Sequence, residues 1–265
     1  MDKNKRLIFR SHLLLRSMVV FKPGKTTMDK AYKHYCSLKA IPEQEIPFGI
    51  DEERCRRIGA LNSKWINGII LTYYFFVEGE HAGSSKQIKL FKKAIKKWTK
   101  SCDIGLDLKE VDKAKDAIVR IGFNKEEGSW TYLGRCILDT EVVSRNKRTM
   151  NLATENDQTL NLCMHLIGHL LGLPNEHQNP TSGIKWNKDV VKKELSGPPN
   201  FWGQEQIEYN IFRLIEPDEM QQNYWDTESV MHFAFDKKII KKPEKYRTTP
   251  LIPNDGLSET DIERV

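Results

Sequence analysis

The sequence lacks the features of a typical secreted or membrane protein. Its five cysteines are an odd set without the spacing of a metal site or of a disulfide framework, which is typical of reduced thiols inside a cell. Its basic amino terminus has no long apolar run, because Arg10, His12 and Arg16 interrupt the stretch that could serve as a signal peptide or a membrane span. We therefore expect an intracellular protein without a membrane span, with secretion as the open alternative. The cysteines are Cys36, Cys55, Cys102, Cys136 and Cys163.

The chain also has no internal repeat, no low-complexity tract and no recognised nucleic-acid module. Its net charge of +6 is moderate, but lysines cluster in two stretches. Apolar residues recur at helical spacing in the first stretch, so its lysines are expected to form the solvated face of a helix. Nucleic-acid binding is not expected, whereas a basic surface for anionic partners stays open. The stretches comprise Lys86, Lys89, Lys92, Lys93, Lys96, Lys97 and Lys100, with Ile88, Phe91, Ile95 and Trp98 facing inward, and Lys237, Lys238, Lys241, Lys242 and Lys245.

The patterning that is present predicts a globular unit with mixed secondary structure. With 265 residues, 39% of them hydrophobic, the chain can bury a substantial core. Runs of β-branched and aromatic residues predict strands, and apolar residues spaced for one helical face predict helices. The predicted strands cover residues 68–77, 106–111, 117–123, 130–134 and 148–152. The predicted helices cover residues 87–100, 158–171, 187–195 and 204–212, followed by a terminal helix that a capping box at Ser258 begins.

The most informative stretch runs from His165 to His177. His165 and His169 are four residues apart, so a helix presents both imidazoles on one face, one turn apart. Zinc peptidases have this spacing of two histidines on a helix, and in them the residue after the first His is a Glu that takes a proton from zinc-bound water. Here that residue is Leu166, which has no lone pair and no titratable proton. General-base catalysis, usually worth about 10²–10⁴-fold in rate, is therefore expected to be absent.

The following residues keep one part of the long zinc motif and lose another. Gly172 stands where the motif ends its helix in a left-handed turn. Three residues later the motif needs a third His, but this chain has Asn175, whose neutral amide oxygen is a poorer zinc donor. Zinc binding is therefore expected to be weakened or absent. His177 could replace the missing ligand, and Glu176 or another carboxylate in the cleft could then serve as a base.

The segment from His165 to Pro180 resembles the motif H-E-I-G-H-x-L-G-x-x-H-E-H-Q-N-P of the astacin-like metzincins, a family of zinc metallopeptidases, in their bacterial and fungal form. Residues 64–73 resemble the first strand of that family, residues 128–134 its upper edge strand, and residues 229–233 its Met-turn. The likeness extends over about residues 55–265. It implies an α+β fold with a twisted mixed sheet, two long helices and an irregular C-terminal lobe.

The resemblance also implies roles for single residues. Phe233 stands where the family places a Tyr that contacts the metal and donates a hydrogen bond to the tetrahedral intermediate, which a phenyl ring cannot do. Trp130 and Tyr132 would flank the cleft on an edge strand that pairs with extended peptides, unless they are core aromatics. The residues that shape the site persist, and they are Gly168, Gly172, Met231 of the Met-turn and His232.

The expected organisation is a metzincin-like domain over residues 50–265, with an upper lobe over about 50–174 and a lower lobe over about 175–265. Residues 1–49 carry no recognisable pattern and are taken as an N-terminal extension. It ends in residues 46–49, where a proline and a glycine indicate a boundary. One role for such an extension is to plug the zinc site, with Cys36 as the plugging residue. An inactive site would not need a plug, so the role of the extension stays open.

Three hypotheses follow for function. The first is a metzincin-fold pseudopeptidase that binds a protein or peptide partner in its cleft, because Leu166, Asn175 and Phe233 remove the base, one metal ligand and the oxyanion partner. The second is an active zinc metalloendopeptidase with a rewired site, in which His165, His169 and His177 bind the metal. The third is a basic module that binds anionic partners.

Overall fold

A mixed sheet organises the chain. The computed structural model describes residues 35–40, 64–102, 105–139, 147–156, 159–215 and 224–265. The six strands of the sheet are β1 (Cys36–Leu38), β2 (Ile70–Phe75), β3 (Asp107–Glu110), β4 (Val119–Gly122), β5 (Ser129–Thr131) and β6 (Met150–Asn151). They lie in the order β1-β5-β6-β4-β2-β3. β5 and β6 pair antiparallel, whereas the other neighbours pair in parallel. The predicted α+β class and mixed sheet are therefore confirmed.

All five predicted strands are present, with somewhat shorter bounds. β2 alternates between buried and more exposed positions, so that Leu71, Tyr73 and Phe75 contribute to the core. β3 forms one edge of the sheet, and its charged residues oppose pairing with another chain. The sixth strand, β1, comes from the region in which the sequence shows no pattern.

The first long helix, α1 (Ser85–Ser101), begins with a capping box. The Ser84 hydroxyl accepts a hydrogen bond from the Gln87 N–H at 3.1 Å, and the Gln87 side chain accepts one from the Ser84 N–H at 2.9 Å. The buried stripe consists of Gln87, Phe91, Ala94 and Trp98, whereas Ile88 and Ile95 are only partly buried. The lysines lie on the more exposed side, as predicted.

The second long helix, α2 (Thr159–Leu170), packs against α1 and carries the two predicted zinc-site histidines. Most of its side chains are buried, because it lies between α1 and the rest of the core. Gly172 ends it with φ of 97°, the left-handed conformation that the sequence predicts. The Leu173 N–H donates to the Gly168 carbonyl at 2.9 Å and closes this turn.

The C-terminal part is irregular, as expected. It contains α3 (Lys188–Leu195), α4 (Gln204–Ile207), a π-helical turn (Glu208–Phe212), the antiparallel pair β7 (Lys185–Trp186) and β8 (Ile240–Lys242), and α5 (Glu259–Glu263). The predicted capping box of α5 is confirmed: the Ser258 hydroxyl accepts from the Asp261 N–H at 3.0 Å, and the Asp261 carboxylate accepts from the Ser258 N–H at 2.9 Å. The same carboxylate accepts from the Val230 N–H at 2.8 Å, so α5 holds the turn that precedes Met231.

Within the described ranges, none of the helices combines the length and the apolar character that crossing a bilayer requires. No disulfide links the cysteines of these ranges, Cys36, Cys102, Cys136 and Cys163. Cys55, the predicted boundary at 46–49 and the first 34 residues, including Arg10, His12 and Arg16, lie outside the described residues. The bounds of the extension and of the two lobes stay predictions.

Candidate metal centre

His165 and His169 meet on one side of α2. Their ring centroids are 4.4 Å apart, and the rings are nearly perpendicular. Nδ1 of His165 lies 2.8 Å from the Val230 carbonyl oxygen, and Nδ1 of His169 lies 2.8 Å from the Leu173 carbonyl oxygen. A carbonyl oxygen can only accept, so each ring carries its proton on Nδ1 and keeps the lone pair of Nε2 for a ligand.

Three buried atoms of His165, His169 and Asn175 lack a hydrogen bond: the two Nε2 atoms and the amide Oδ1. The Asn175 side chain lies near both rings, because it contributes to raising the pKa of each. The Cys36 thiol joins the two histidines in a group whose ligand atoms all lie within 4.8 Å of one another. Buried polar atoms are normally paired, so a cluster of unpaired ones indicates a site for an ion or a water. Two imidazoles, a thiol and an amide oxygen are donors that zinc accepts, so these residues fit that metal.

Burial sets the protonation of this cluster. It lowers the pKa of His165 to about 4, against the opposing effects of the Val230 carbonyl and of Asn175. Burial also lowers the pKa of His169 well below its ordinary value, and the neighbouring His165 adds to this effect. Burial raises the pKa of the Cys36 thiol. At neutral pH the rings are therefore neutral, as metal ligands must be, and the thiol keeps its proton until a cation displaces it.

The three positions that depart from the catalytic pattern are enclosed. Leu166 and Asn175 are completely buried, and Leu166 belongs to the apolar core. The ring of Phe233 stacks on His165 with centroids 5.2 Å apart, so an apolar ring covers the imidazole where the family pattern has a hydroxyl. Leu166 and Phe233 thus have apolar surroundings, whereas Asn175 keeps a polar partner, because its Nδ2 donates to Gln178 Oε1 at 3.1 Å.

His177 is not part of the group that Cys36 joins, and its Nδ1 is buried without a hydrogen bond. Its Nε2 lies 2.8 Å from the Asn210 carbonyl oxygen. Its ring packs among the aromatic rings of Trp186, Phe233 and Phe235. In the part of the chain that the structure describes, Cys36 is the third residue beside His165 and His169, at the place that the sequence proposed for His177. The role of His177 as a ligand stays a prediction.

Glu176, the alternative base, is held by other groups. Arg264, the residue that follows α5, forms an ion pair with its carboxylate. The Asp226 N–H donates to Glu176 Oε1 at 2.9 Å, and Asn179 Nδ2 donates to the same atom at 3.2 Å. Burial raises the pKa of this carboxyl, and the hydrogen bond and charge of Arg264 act in the opposite direction. These contacts give Glu176 a structural role.

β1 lies in a groove with hydrogen bonds on both of its edges. On one edge it pairs in parallel with β5, with Leu38 opposite Thr131, and the Lys39 N–H donates to the Thr131 carbonyl at 2.9 Å. On the other edge the Leu38 N–H donates to Asn210 Oδ1 at 2.7 Å. The groove therefore holds an extended segment as an added strand. We call it the β5 groove, formed by β5 on one side and Asn210 on the other.

Tyr35 anchors the beginning of this segment. Its hydroxyl donates to the Ala234 carbonyl at 2.8 Å, and its N–H donates to Asn200 Oδ1 at 3.1 Å. Its ring packs against three aromatic rings, those of Trp202, Phe233 and Phe235. A cavity of about 70 Å³ beside Cys36 and His165 is the space left there, which is too small for a peptide. The chain's own residues 35–40 fill the groove.

Trp130 and Tyr132, the predicted cleft-edge aromatics, are buried in the core. Their rings pack edge to face with centroids 6.1 Å apart. The Lys39 ammonium lies 3.6 Å from the centroid of the Trp130 ring, which fixes the other end of the segment that contains β1. The backbone of β5 makes the main contact with that segment, and a role of the two rings in binding other peptides stays a prediction.

The residues predicted to shape the site make close contacts. A Cβ atom on Gly168 would lie 2.3 Å from Met231 Sδ and 3.3 Å from Trp98 Cζ2, so glycine permits this approach. The Met231 carbonyl accepts from the Glu176 N–H at 3.0 Å. Nδ1 of His232 lies 2.7 Å from the Phe233 carbonyl oxygen, and His232 lines the same small cavity as Cys36 and His165.

Sequence reasoning missed Asn210, Tyr35 and Arg264. Asn210 lies in a π-helical turn, which periodicity does not reveal, and contacts β1 over a separation of 172 residues. A three-residue strand such as β1 is too short to show alternation. The sequence does contain a signal for this segment, Cys36 as the possible plug of the zinc site, and the structure brings Cys36 together with His165 and His169.

Comparison with known proteins gives matches in structure. A scan of protein-family models found no match, and neither did a search of curated proteins. The structure of myroilysin matches with a TM-score of 0.64 and 25% identity, over 76% of this chain and 93% of that chain. A crystal structure of myroilysin matches with a TM-score of 0.55 and 25% identity, over 76% and 83%.

High choriolytic enzyme 1, a hatching enzyme zinc-protease from Oryzias latipes, matches with a TM-score of 0.50 over 76% of this chain and 92% of that chain. Its identity is 16%, so it supports the fold alone. These matches include most of the length of each of the three solved chains.

Proposed function

Because this chain is an astacin-like metzincin, we propose that it is a pseudopeptidase of that family, which holds an extended segment of a protein partner in its cleft without hydrolysing it. The observation that supports this proposal most directly is that apolar groups surround the positions that would carry the general base and the oxyanion donor. Leu166 is completely buried in the core, and Phe233 stacks on His165. The alternative base, Glu176, is paired with Arg264.

The chemistry of hydrolysis explains why these losses matter together. A bound zinc ion supplies Lewis acidity to a carbonyl oxygen and acidifies water. Leu166 offers no acceptor for the proton of an attacking water, and Phe233 offers no donor to a developing oxyanion. Asn175 would offer a metal an amide oxygen, which is a weaker donor than an imidazole. The site therefore lacks a proton-transferring side chain at the two positions where the family pattern has one, Leu166 and Phe233.

The β5 groove supports the binding half of the proposal. It already hydrogen-bonds both edges of an extended segment, residues 35–40 of the chain itself. Main-chain hydrogen bonds of this kind do not depend on the side chains of the peptide, whereas pockets beside them select side chains. A partner segment that takes this place has to displace β1, so binding of the partner competes with the chain's own residues.

The first test is turnover of an unfolded protein substrate by the full chain with added Zn²⁺. We expect no cleavage above the rate of the matched variant His169→Ala, because general-base assistance worth about 10²–10⁴-fold is missing. Cleavage would be followed by mass spectrometry of the products. Repeated turnover that a chelator stops and that His169→Ala abolishes would refute the proposed function.

The second test concerns the β5 groove. Leu38→Pro removes the N–H that donates to Asn210 Oδ1 and should release β1, because proline cannot make this bond. We expect the full chain with Leu38→Pro to bind a labelled peptide with the sequence of residues 35–40 at least about tenfold more tightly than the unaltered chain, since β1 no longer occupies the groove. Fluorescence anisotropy measures the affinity.

The matched control is Ala40→Pro, which places the same residue at an exposed position two residues further on. It should leave the peptide affinity at the level of the unaltered chain. Circular dichroism establishes that both variants are folded. A folded Leu38→Pro variant that binds the peptide no better than the control would contradict the idea that this groove accepts peptides.

A further inference from the structure

The side chain of Tyr35 occupies an aromatic pocket at one end of the β5 groove. Its ring centroid lies 6.2 Å from that of Trp202, 4.9 Å from that of Phe233 and 5.9 Å from that of Phe235. Its hydroxyl donates to the Ala234 carbonyl at 2.8 Å. We call these three rings and this carbonyl the tyrosine pocket. The pocket holds an apolar ring and pairs the single polar atom of that ring.

The walls of the tyrosine pocket are held by contacts in which Tyr35 takes no part. Phe235 exchanges two backbone hydrogen bonds with Leu251, each of 2.9 Å, and the Trp202 N–H donates to the Leu195 carbonyl at 2.8 Å. Trp202 and Phe235 both belong to the buried core. A pocket that is formed in advance can receive the same side chain from another protein at little cost in reorganisation.

The carbonyl of the pocket distinguishes tyrosine from phenylalanine. Ala234 is buried, and its carbonyl oxygen can only accept a hydrogen bond. Burial raises the pKa of the Tyr35 hydroxyl well above its usual range, and the charges of Glu194 and Asp236 act in the same direction, so the hydroxyl stays protonated and can donate. A phenyl ring would lose this bond. Sites that bind a hydroxyl in this way discriminate against a ring that lacks it.

The backbone contacts of the segment fix which position reaches the pocket. The Tyr35 N–H donates to Asn200 Oδ1 at 3.1 Å, and the Leu38 N–H donates to Asn210 Oδ1 at 2.7 Å. These bonds accept any segment with N–H groups at the two positions, so they set the register without selecting a sequence. A slip by one residue would turn each side chain to the opposite face. The pocket therefore reads a single position of a bound segment.

We infer that the tyrosine pocket is the specificity site of the β5 groove, and that the partner is a protein with an extended segment that places a tyrosine in this pocket, at the position that Tyr35 fills. The inference rests on the proposed function, which supplies the partner segment that displaces β1. The partner segment has no proline at the position of Leu38, because the N–H of that position is bonded. Tyr35 is the chain's own competitor for the pocket.

The first experiment measures which side chain the pocket accepts. It uses the full chain with Tyr35→Ala and Leu38→Pro, which together empty the pocket and release β1. Labelled, acetylated peptides with the sequence of residues 35–40 carry tyrosine, phenylalanine or O-methyltyrosine at the first position. We expect the second and third peptides to bind about tenfold more weakly, because neither side chain can donate to the Ala234 carbonyl. Fluorescence anisotropy measures the affinities.

The matched control peptide has Ala40→Ser, a change at an exposed position of the segment, and should bind as tightly as the tyrosine peptide. Circular dichroism establishes that the altered chain is folded.

The second experiment needs no partner and no opened groove. Tyr35→Phe in the full chain removes only the hydroxyl, so β1 should leave the groove more often. We expect the amides of residues 36–39 to exchange with deuterium about tenfold faster than in the unaltered chain, as followed by mass spectrometry. Tyr74→Phe is the control, because it removes the same hydroxyl from a half-buried tyrosine of β2 whose ring packs on Phe76, and it should leave this exchange unchanged.

The outcomes separate this inference from the function on which it rests. Equal affinities for the tyrosine, phenylalanine and O-methyltyrosine peptides would overturn the inference while leaving a groove that accepts peptides. Exchange in Tyr35→Phe no faster than in Tyr74→Phe would overturn it as well, whatever the peptides do. Failure of all the peptides to bind the folded, opened chain would refute the binding half of the proposed function, and the inference with it.

Discussion

Replacement of Arg264 by alanine is expected to lower the free energy of unfolding by about 3–5 kcal/mol, because it leaves a buried carboxylate without its cation. Arg264 and Glu176 form an ion pair in which the side chains are 9% and 3% exposed. Arg264 also donates to the Tyr224 carbonyl at 3.3 Å. Glu176 directly follows Asn175, so the loss should extend to the cluster of the two histidines. Urea unfolding followed by circular dichroism measures the change.

The control for this variant is an exposed pair of the same charge types. Lys192 and Glu208 lie 3.9 Å apart with side chains 42% and 44% exposed, so Lys192→Ala should cost less than about 1 kcal/mol. The loss in Arg264→Ala should shrink as the pH falls, because protonation of Glu176 removes the unpaired charge. A cost for Arg264→Ala no larger than that for Lys192→Ala would show that the pair does not hold the site segment.

The parts of the fold that the sequence predicts are those with long local patterns. α1 has 17 residues and shows a periodic stripe of buried side chains. α2 has 12 residues and contains the His165–His169 pair. Local patterns therefore locate both helices. The capping box at Ser258 is likewise local, and the structure has it. The buried stripe of α1 includes Gln87, which hydropathy alone would place outside, because its side chain caps the helix and bonds to nearby carbonyls.

The candidate site was predictable where its residues share one element. His165 and His169 converge because both lie on α2, and Leu166 marks the missing base at a position that the motif defines. The sequence offers Cys36 as one possible plug of the zinc site but does not locate it there, because its place depends on a parallel pairing with β5 across more than ninety residues. The direction of His177 depends on the Asn210 carbonyl in the π-helical turn, which no local pattern encodes. Contacts between residues far apart in the sequence therefore determine the positions of Cys36 and His177.

A second large effect is expected for Trp98→Ala, which should lower the free energy of unfolding by about 3–5 kcal/mol. Trp98 is completely buried, and its indole N–H donates to the Met164 carbonyl at 3.0 Å, directly before His165. Its ring also lies against the position where Gly168 lacks a Cβ. Removal of the ring leaves a cavity between α1 and α2 and frees the turn that presents the first imidazole. Unfolding in urea measures stability, and Zn²⁺ titration measures the site.

Phe91→Ala is the matched control, because Phe91 is buried on the same face of α1 and packs against Phe75 in β2. Phe91→Ala should lower the free energy of unfolding by a similar amount, about 3–5 kcal/mol. It should leave the Zn²⁺ affinity of the folded protein unchanged, whereas Trp98→Ala should weaken that affinity. Trp98→Phe removes the indole N–H and part of the ring but keeps an aromatic side chain, so it should cost less than Trp98→Ala, at about 1–3 kcal/mol. If Trp98→Ala and Phe91→Ala affect metal binding equally, α1 stabilises the core without positioning the histidines, and the framework that this chain retains serves stability alone.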